Sequence, residues 1–381
     1  MVSSGQMDMP GVPGNAAHEN AAPLPPQSWG EPYSPRSRGV GGAVSGQTSV
    51  SQSWQNLSVL IVGCGSIGKR HARVLYGLGV RDLRACDPLP EQRAALLAQV
   101  PTVKMYETYE AGLADHPNAV LIGTPPWLHI PQAVQAIRAG CHVLSEKPLS
   151  DSTDGLEELV ALAAAENKKV MVAHCFRYHD GLLKAKAALD ADRIGRLVSV
   201  RALVGEHLPD VRPDYRSLFS AQHGGAFDLM HDIDLALWYA GLPVRQVYAL
   251  SGSYSDIGIV APDVAEILIG FEGRGAHDRC LATVHLDFFQ RPRRRQIELI
   301  GTGGVIIVEF ARWDRCTVSV YEAAKGAWEH EELVTDRDDM FRAEDREFLE
   351  AVAHDKPIRC TVAEGCKAVE VVLAATPRGG Q

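Results

Sequence analysis

The run Val59-Leu60-Ile61-Val62, followed directly by Gly63-Cys64-Gly65-Ser66-Ile67-Gly68, constrains this chain more than any other stretch. Consecutive apolar residues leave a strand no polar face, so it has to be covered on both sides, as in a parallel sheet sandwiched by helices. A glycine-rich turn that ends such a strand and opens a helix then lies at the carboxyl edge of the sheet. The three glycines have separate tasks. Gly63 permits the tight turn, Gly65 lets the backbone come close to a ligand, and Gly68 lets the helix pack tightly on the strand.

Strand-like and helix-like segments alternate after this point. Helices are predicted over Ile67 to Gly77, Glu91 to Gln99, Thr108 to Ala114, Ile130 to Ala139 and Ser152 to Glu166. Strands are predicted over Asp82 to Cys86, Val103 to Tyr106, Ala119 to Ile122, His142 to Ser145 and Val170 to His174. This alternation implies an α/β doubly wound parallel sheet. After a helix over Gly181 to Ala191 the texture changes to strands: Leu197 to Leu203, Gln246 to Leu250, Ala265 to Phe271, Ala282 to Phe289, Gln296 to Gly301 and Val305 to Glu309. Turn residues separate most of them, which implies a mostly antiparallel open sheet of α+β type carrying one helix near Phe227 to Tyr239. Phe341, Phe348 and Val352 at helical spacing, then Val362 to Ala375, imply two closing helices. The division expected is a disordered tail over residues 1–55, rich in Gly, Pro, Ser and Gln, a dinucleotide-binding domain over 56–178 and a second domain over 179–381. Order is expected from Ser58.

With 381 residues and a net charge of -9, the chain offers no field that would attract nucleic acid or an anionic membrane. Its one basic run, Arg291 to Arg295, is interrupted by Pro292. No apolar stretch approaches the roughly 18 residues a bilayer span needs, and residues 1–30 lack the apolar core of a signal peptide. A cytoplasmic protein is expected. The 8 cysteines are scattered without Cys-x-x-Cys spacing, as reduced structural thiols would be. Cys64 alone has a position of interest, inside the glycine loop at a helix N-terminus, and a small loop filler is the simpler reading.

Backbone N–H groups of the loop and the helix N-terminus suit a pyrophosphate. Asp87, nineteen residues past Gly68 at the end of the second strand, suits the two ribose hydroxyls of adenosine and would repel a 2′-phosphate. NAD is therefore expected over NADP. Asp87-Pro88 also reads as a turn initiator, and Arg84 lies nearby. Lys147, in Val143-Leu144-Ser145-Glu146-Lys147-Pro148, ends a strand at the edge where doubly wound sheets bind ligands.

The glycine loop, Thr124-Pro125-Pro126 with His129, and Glu146-Lys147-Pro148 together resemble the Gfo/Idh/MocA oxidoreductases over about residues 58–376. Gly224-Gly225-Ala226-Phe227-Asp228-Leu229-Met230-His231-Asp232-Ile233-Asp234 is similar to that family's glycine-led helix. The usual spacing of its Asp and His is four. Here it is three, as in a branch reading Asp-Leu-Ser-His-Glu-x-Asp.

The resemblance implies a Rossmann domain followed by an open-sheet domain, with Lys147, His231 and Asp228 as the catalytic set. Gly63, Gly65, Ser66, Ile67, Gly68, Asp87, Thr124, Pro125, Pro126, His129, Glu146 and Lys147 would bind the cofactor. Arg177, Tyr215, Arg216 and Asp234 are candidates for gripping an oxygen-rich substrate, although either arginine is equally suited to bridging the domains. Arg293, Arg294 and Arg295 are similar to the same branch, and a solvated strand end or subunit contact is expected for most of them. No metal is expected, the cluster of His231, Asp228 and Asp234 having no distinctive ligand spacing. The implied reaction is hydride transfer between nicotinamide and a carbinol carbon of a sugar, sugar derivative or inositol. Two alternatives stand beside it: an NAD-dependent glycosidase with no net redox change, and a dinucleotide-sensing regulatory protein. The family's second sheet commonly pairs subunits, which implies a homodimer or homotetramer.

Overall fold

All five residues of the apolar run's strand, β1 (Ser58–Val62), are buried. In the computed structural model, which describes residues 53–376 apart from 213, 220–223, 274, 276 and 277, β1 sits in the middle of a six-stranded sheet. The others are β2 (Asp82–Cys86), β3 (Lys104–Tyr106), β4 (Ala119–Ile122), β5 (His142–Glu146) and β6 (Val170–Ala173), in the order β3-β2-β1-β4-β5-β6. Every neighbouring pair is parallel. The connections reverse direction between β1 and β4, and at such a switch point a crevice opens beyond the carboxyl ends of the strands.

The connecting helices are α1 (Ser66–Gly77), α2 (Pro90–Leu97), α3 (Tyr109–Leu113), α4 (His129–Arg138) and α5 (Leu156–Ala165). Four begin or end within a residue or two of expectation, but α5 starts four residues late. The cause is local. Ser150 and Ser152 accept hydrogen bonds from the backbone N–H groups of Ser152 and Asp154, and Gly155 takes a left-handed φ of 77°, holding the segment out of the helix. Order also begins earlier than Ser58. Trp54, in a 3-10 turn over Ser53–Asn56, is buried and donates its indole N–H to Leu78 O at 3.1 Å. Residues 1–52 of the expected tail lie outside the described residues.

After α6 (Asp180–Asp190) the chain forms β7 (Leu197–Gly205), the short helices α7 (Leu208–Val211) and α8 (Tyr215–Leu218), then α9 (His231–Ala240). Seven strands follow: β8 (Val244–Gly252), β9 (Val264–Phe271), β10 (Cys280–Asp287), β11 (Arg294–Gly301), β12 (Gly304–Glu309), β13 (Arg315–Glu322) and β14 (Ala327–Val334). They make an eight-stranded sheet, β14-β13-β12-β11-β7-β10-β9-β8, antiparallel except where β7 meets β10. Val200, Ala202, Val284, Leu286, Ile297 and Leu299 point to its buried face.

β13 and β14 are absent from the expectation. β14 is an edge strand of sequence Ala-Trp-Glu-His-Glu-Glu-Leu-Val whose residues are nearly all exposed, so no apolar period marks it. The helix expected over Phe227 to Tyr239 is divided in two: a 3-10 turn over Gly225–Leu229, then α9. Gly224 and Gly225 have φ of 67° and 52°, and Ala226 N–H donates to Pro262 O at 2.8 Å, which pulls the start of the segment off the helical path.

The closing helices α10 (Arg337–His354) and α11 (Val362–Ala375) each open on a capping box, Asp336 with Asp339 and Thr361 with Glu364. Both return to the first domain as well as serving the second. α10 packs on α1, and α11 lies against α9, α5 and β6. Just before α11, Thr361 bridges Met171, and Val172 N–H donates to Cys360 O at 3.0 Å, so the open edge of β6 is partly paired. Among the described residues no helix is long and apolar enough to cross a membrane.

Candidate active site

The glycines of the first turn differ in what surrounds them. Gly63 has a φ of 93°, and a Cβ there would lie 2.7 Å from Gly123 O. A Cβ on Gly68 would lie 1.9 Å from Gly63 O. These two are fixed by the turn and by packing. Gly65 is different, since a Cβ there would meet nothing within 4 Å. It faces open space at the N-terminus of α1, the place where Ser66 and Ile67 N–H groups would meet a phosphate. The cradle fits a dinucleotide. Cys64 is buried, and burial together with Asp87 pushes its thiol up to about 12, so it fills the loop as a neutral side chain.

Asp87 closes this turn from the end of β2. One carboxylate oxygen accepts the N–H of Cys64 at 2.7 Å and the other accepts that of Leu89 at 2.9 Å. Each oxygen keeps a second lone pair, which suits a diol. Arg84 is turned away, held by Asp82 and by Asp115 O. Arg93 donates to the carbonyls of Asp87 and Pro88. Across the switch point, Thr124 Oγ1 donates to Gln132 at 2.7 Å. His129 is fully buried, with Nε2 2.7 Å from Thr124 O and Nδ1 2.8 Å from Pro148 O. It staples the Thr124-Pro125-Pro126 turn to the loop after β5, so its part is to shape the cleft wall rather than to touch a ligand.

β5 ends at Glu146, which is buried for a similar reason. Its Oε1 lies 3.1 Å from His71 Nε2, and its Oε2 accepts the Lys147 backbone N–H at 3.0 Å. Burial alone would raise this carboxyl, but His71 and Lys147 outweigh it and hold it below its ordinary value. Glu146 therefore anchors Lys147 from behind. The Lys147 amine reaches across to the second domain, where Nζ is 3.1 Å from both the carbonyl oxygen and Oδ1 of Asp228. For Asp228, burial pushes upward while Lys147 and Arg212 pull its carboxyl below the ordinary value.

His231 is the first residue of α9. Its ring meets Phe176 edge-on at 4.9 Å and His174 at 5.8 Å, and its buried Nδ1 has no hydrogen-bond partner among the described residues. Burial, then the charge of Lys147, lowers its basicity far below the usual 6.5. A neutral imidazole results. Lys147, Asp228 and His231 thus share one neighbourhood, and the shortened Asp-to-His spacing is absorbed by the break between the 3-10 turn and α9.

Two family models match the chain: "Oxidoreductase family, NAD-binding Rossmann fold" over residues 57–174, and "GFO/IDH/MocA C-terminal domain" over residues 182–307. Together they span more than half of it. The chain belongs to the Gfo/Idh/MocA family of oxidoreductases. It is 29% identical over 234 residues to myo-inositol dehydrogenase Hyg17 of Streptomyces leeuwenhoekii, covering 61% of this chain and 66% of that one. It is 31% identical over 204 residues to D-xylose 1-dehydrogenase (NADP(+)) 2 of Haloferax volcanii, covering 52% of this chain and 62% of that one. The matched stretch thus spans a little under two thirds of these two curated relatives. The crystal structure of GenD2 from gentamicin A biosynthesis, in complex with NAD, superposes with a TM-score of 0.69 at 27% identity, covering 84% of this chain and 93% of that one.

Several residues expected to grip substrate make their hydrogen bonds within the protein. Arg177 is 1% exposed and makes a two-pronged pair with Asp234, at 2.9 and 2.7 Å, while its third nitrogen donates to Arg359 O at 3.0 Å. The pair ties the turn after β6 to α9 and to the segment before α11, so Arg177 bridges and Asp234 is its counter-ion. Tyr215 is buried with its hydroxyl donating to Ile257 O at 2.8 Å, and the exposed Arg216 lies over its ring at 5.5 Å. The arginine run is also less solvated than expected. Arg295 is buried against Asp232 and lies 3.9 Å from the Phe176 centroid, and Arg293 is bonded to Glu206. Strand alternation explains it, since β11 turns Arg294 outward and Arg295 inward. His174 was not singled out by sequence reasoning, although it follows β6 directly, as Lys147 follows β5, and its ring meets that of His231. Removing Asp234 would take away both prongs of the pair and leave the buried guanidinium only Glu364 as a counter-ion, 3.3 Å from its third nitrogen. Asp234→Ala should therefore cost about 3–5 kcal/mol of stability, read by urea unfolding, and a variant as stable as the parent would return Arg177 and Asp234 to the substrate-binding candidates.

Proposed function

We propose that this chain is an NAD-dependent dehydrogenase that oxidises a CH–OH group of a sugar, sugar derivative or inositol, or reduces the matching carbonyl. The observation that carries this reading is the placement of the Lys147 amine at the carboxyl edge of the parallel sheet, after β5 and in contact with Asp228. Gly63, Gly65, Ser66, Ile67 and Gly68 would hold the pyrophosphate, Asp87 the adenosine ribose, and Thr124, Pro125 and Pro126 the opposite wall. Bound nicotinamide would supply the hydride acceptor or donor. In oxidation Lys147 would hand a proton to neutral His231 and take that of the hydroxyl it hydrogen-bonds, so that its own charge is restored. Asp228 orients the lysine, and neutral His231 passes the proton on toward solvent.

A panel of sugars, sugar acids, nucleotide sugars and inositols with NAD and with NADP, followed by nicotinamide absorbance, tests the reading. Lys147→Ala should lose at least about a hundredfold in turnover while NADH still binds. Turnover close to that of the parent would sink the assignment. Net NADH formation separates a dehydrogenase from a glycosidase that merely cycles its cofactor.

The pH profile follows from the burial of His231. A group whose basicity is depressed stays neutral as pH falls through 6.5, so the form able to accept a proton persists below that value. Oxidative kcat should show no inflection at the 6.5 of a free histidine, its acid limb lying lower. An inflection at 6.5 that vanishes in His231→Gln would contradict this.

The exposed side chains Tyr248, Leu250, Leu268 and Leu281 lie on the outer face of the second sheet, and with Arg201 and Glu298 they suit self-association into a homodimer or homotetramer in the cytoplasm. Light scattering that finds a monomer at all working concentrations would argue against it.

A further inference from the structure

Behind Glu146 lies a row of ionisable groups, buried within the protein, that connects α10 to the lysine. His71, on the outer side of the glycine loop in α1, is fully buried. Its Nδ1 is 2.8 Å from Asp345 Oδ1 on α10, and its Nε2 is 3.1 Å from Glu146 Oε1 at the end of β5. Burial raises the Asp345 carboxyl, whose second oxygen has no partner among the described residues, but the two carboxyl groups together keep the proton on His71, and each ring nitrogen then donates. Phe341, also on α10, meets the ring edge-on at 5.6 Å and shuts off the remaining side. Glu344 completes the surroundings: neither of its buried carboxyl oxygens has a partner among the described residues, and burial raises it far above the ordinary value, so it is neutral. The charges left are those of Asp345, His71 and Glu146, followed by Lys147, alternating in sign along the row. Burial alone would strip His71 of its proton, yet Asp345 and Glu146 outweigh it and raise its pKa well above 6.5.

We propose that His71 and Asp345 are positioning residues for Lys147: the Asp345–His71 pair fixes the Glu146 carboxylate, and Glu146 fixes the Lys147 backbone through its N–H. This rests on the dehydrogenase reading only for its effect on turnover. The geometry separates it from a simple brace between α1 and α10. Such a brace needs only the Asp345–His71 pair, whereas here the second ring nitrogen is spent on Glu146, whose other oxygen is spent on Lys147. A displacement of about 1 Å at a reacting group is enough to cost on the order of a hundredfold in rate, so a residue that touches neither substrate nor cofactor acts strongly when it holds one that does.

The test uses the full chain labelled with 15N at histidine and lysine. In the parent at pH 8 both His71 ring nitrogens should be protonated, and Asp345→Asn should shift the Lys147 amide resonance. A neutral His71 tautomer at pH 8, or an unmoved Lys147 amide, overturns the proposal without any substrate. With an alcohol found by the panel, Asp345→Asn should lower kcat roughly tenfold with KM for NAD within about twofold, and Asp345→Glu should restore part of it. Equal losses in kcat, NADH affinity and Tm would reveal a brace alone. Should the parent oxidise no alcohol, the dehydrogenase reading fails, while the ring charge and the amide shift still decide the coupling.

Discussion

The contact of the Lys147 amine with Asp228 joins the carboxyl edge of the parallel sheet to the second domain. Its donor hangs from the carboxyl end of β5, a strand of the parallel sheet, and its acceptor sits in a 3-10 turn that precedes α9 in the other domain. Neither end is rigid by itself. A lysine has four rotatable bonds, and a glycine-led turn has an unusually wide choice of backbone angles. The contact persists because other parts of the fold remove those freedoms: Glu146 and His129 fix the loop from behind, Pro262 fixes the glycines, and the Arg177–Asp234 pair sets α9 against the end of β6.

The electrostatic pattern around this contact follows one rule with two outcomes. Histidines buried without a carboxylate lose their proton, and those buried between carboxylates keep it. His231, and also His179 at about 4, belong to the first kind, with aromatic rings as neighbours. His71 belongs to the second. The same side chain thus supplies a neutral imidazole facing the cleft and a fixed positive charge behind it. The difference comes from which residues the fold places within about 3 Å, not from depth of burial, since His71 is the more buried of the two.

The local parts of this arrangement were legible in the sequence. An apolar run followed by Gly63, Gly65 and Gly68 carries its strand, turn and helix within ten residues, and Lys147 declares itself by ending a strand. Asp228 and His231 were readable as neighbours, though the sequence did not show that a turn would divide them. What escaped was non-local or lacked a period. β14 is solvated on both faces and so has no alternation to read. Arg177 and Asp234 carry the residue types of a substrate clamp, and only the folded chain shows that they spend their hydrogen bonds on each other. His129 and Glu146 entered the cofactor set through the motifs that carry the family resemblance, and only the folded chain shows that both are buried and bonded to the loops beside them.

The last two helices carry this lesson furthest. Read alone, α10 is an amphipathic closing helix whose acidic residues belong on a solvated face. Glu344 and Asp345 are instead completely buried, a costly place for two adjacent carboxyls in the absence of compensation. Compensation comes in two forms, a proton on Glu344 and the His71 ring on Asp345. A chain seeking stability alone would do as well with apolar residues of the same volume, because replacing a buried ion pair in that way is often neutral or stabilising. The acidic pair, set against an imidazolium that also reaches Glu146, is therefore better explained by what it holds than by what it contributes to folding. Asp345 is thus joined to Lys147 through His71 and Glu146, although nearly two hundred residues separate the two in sequence.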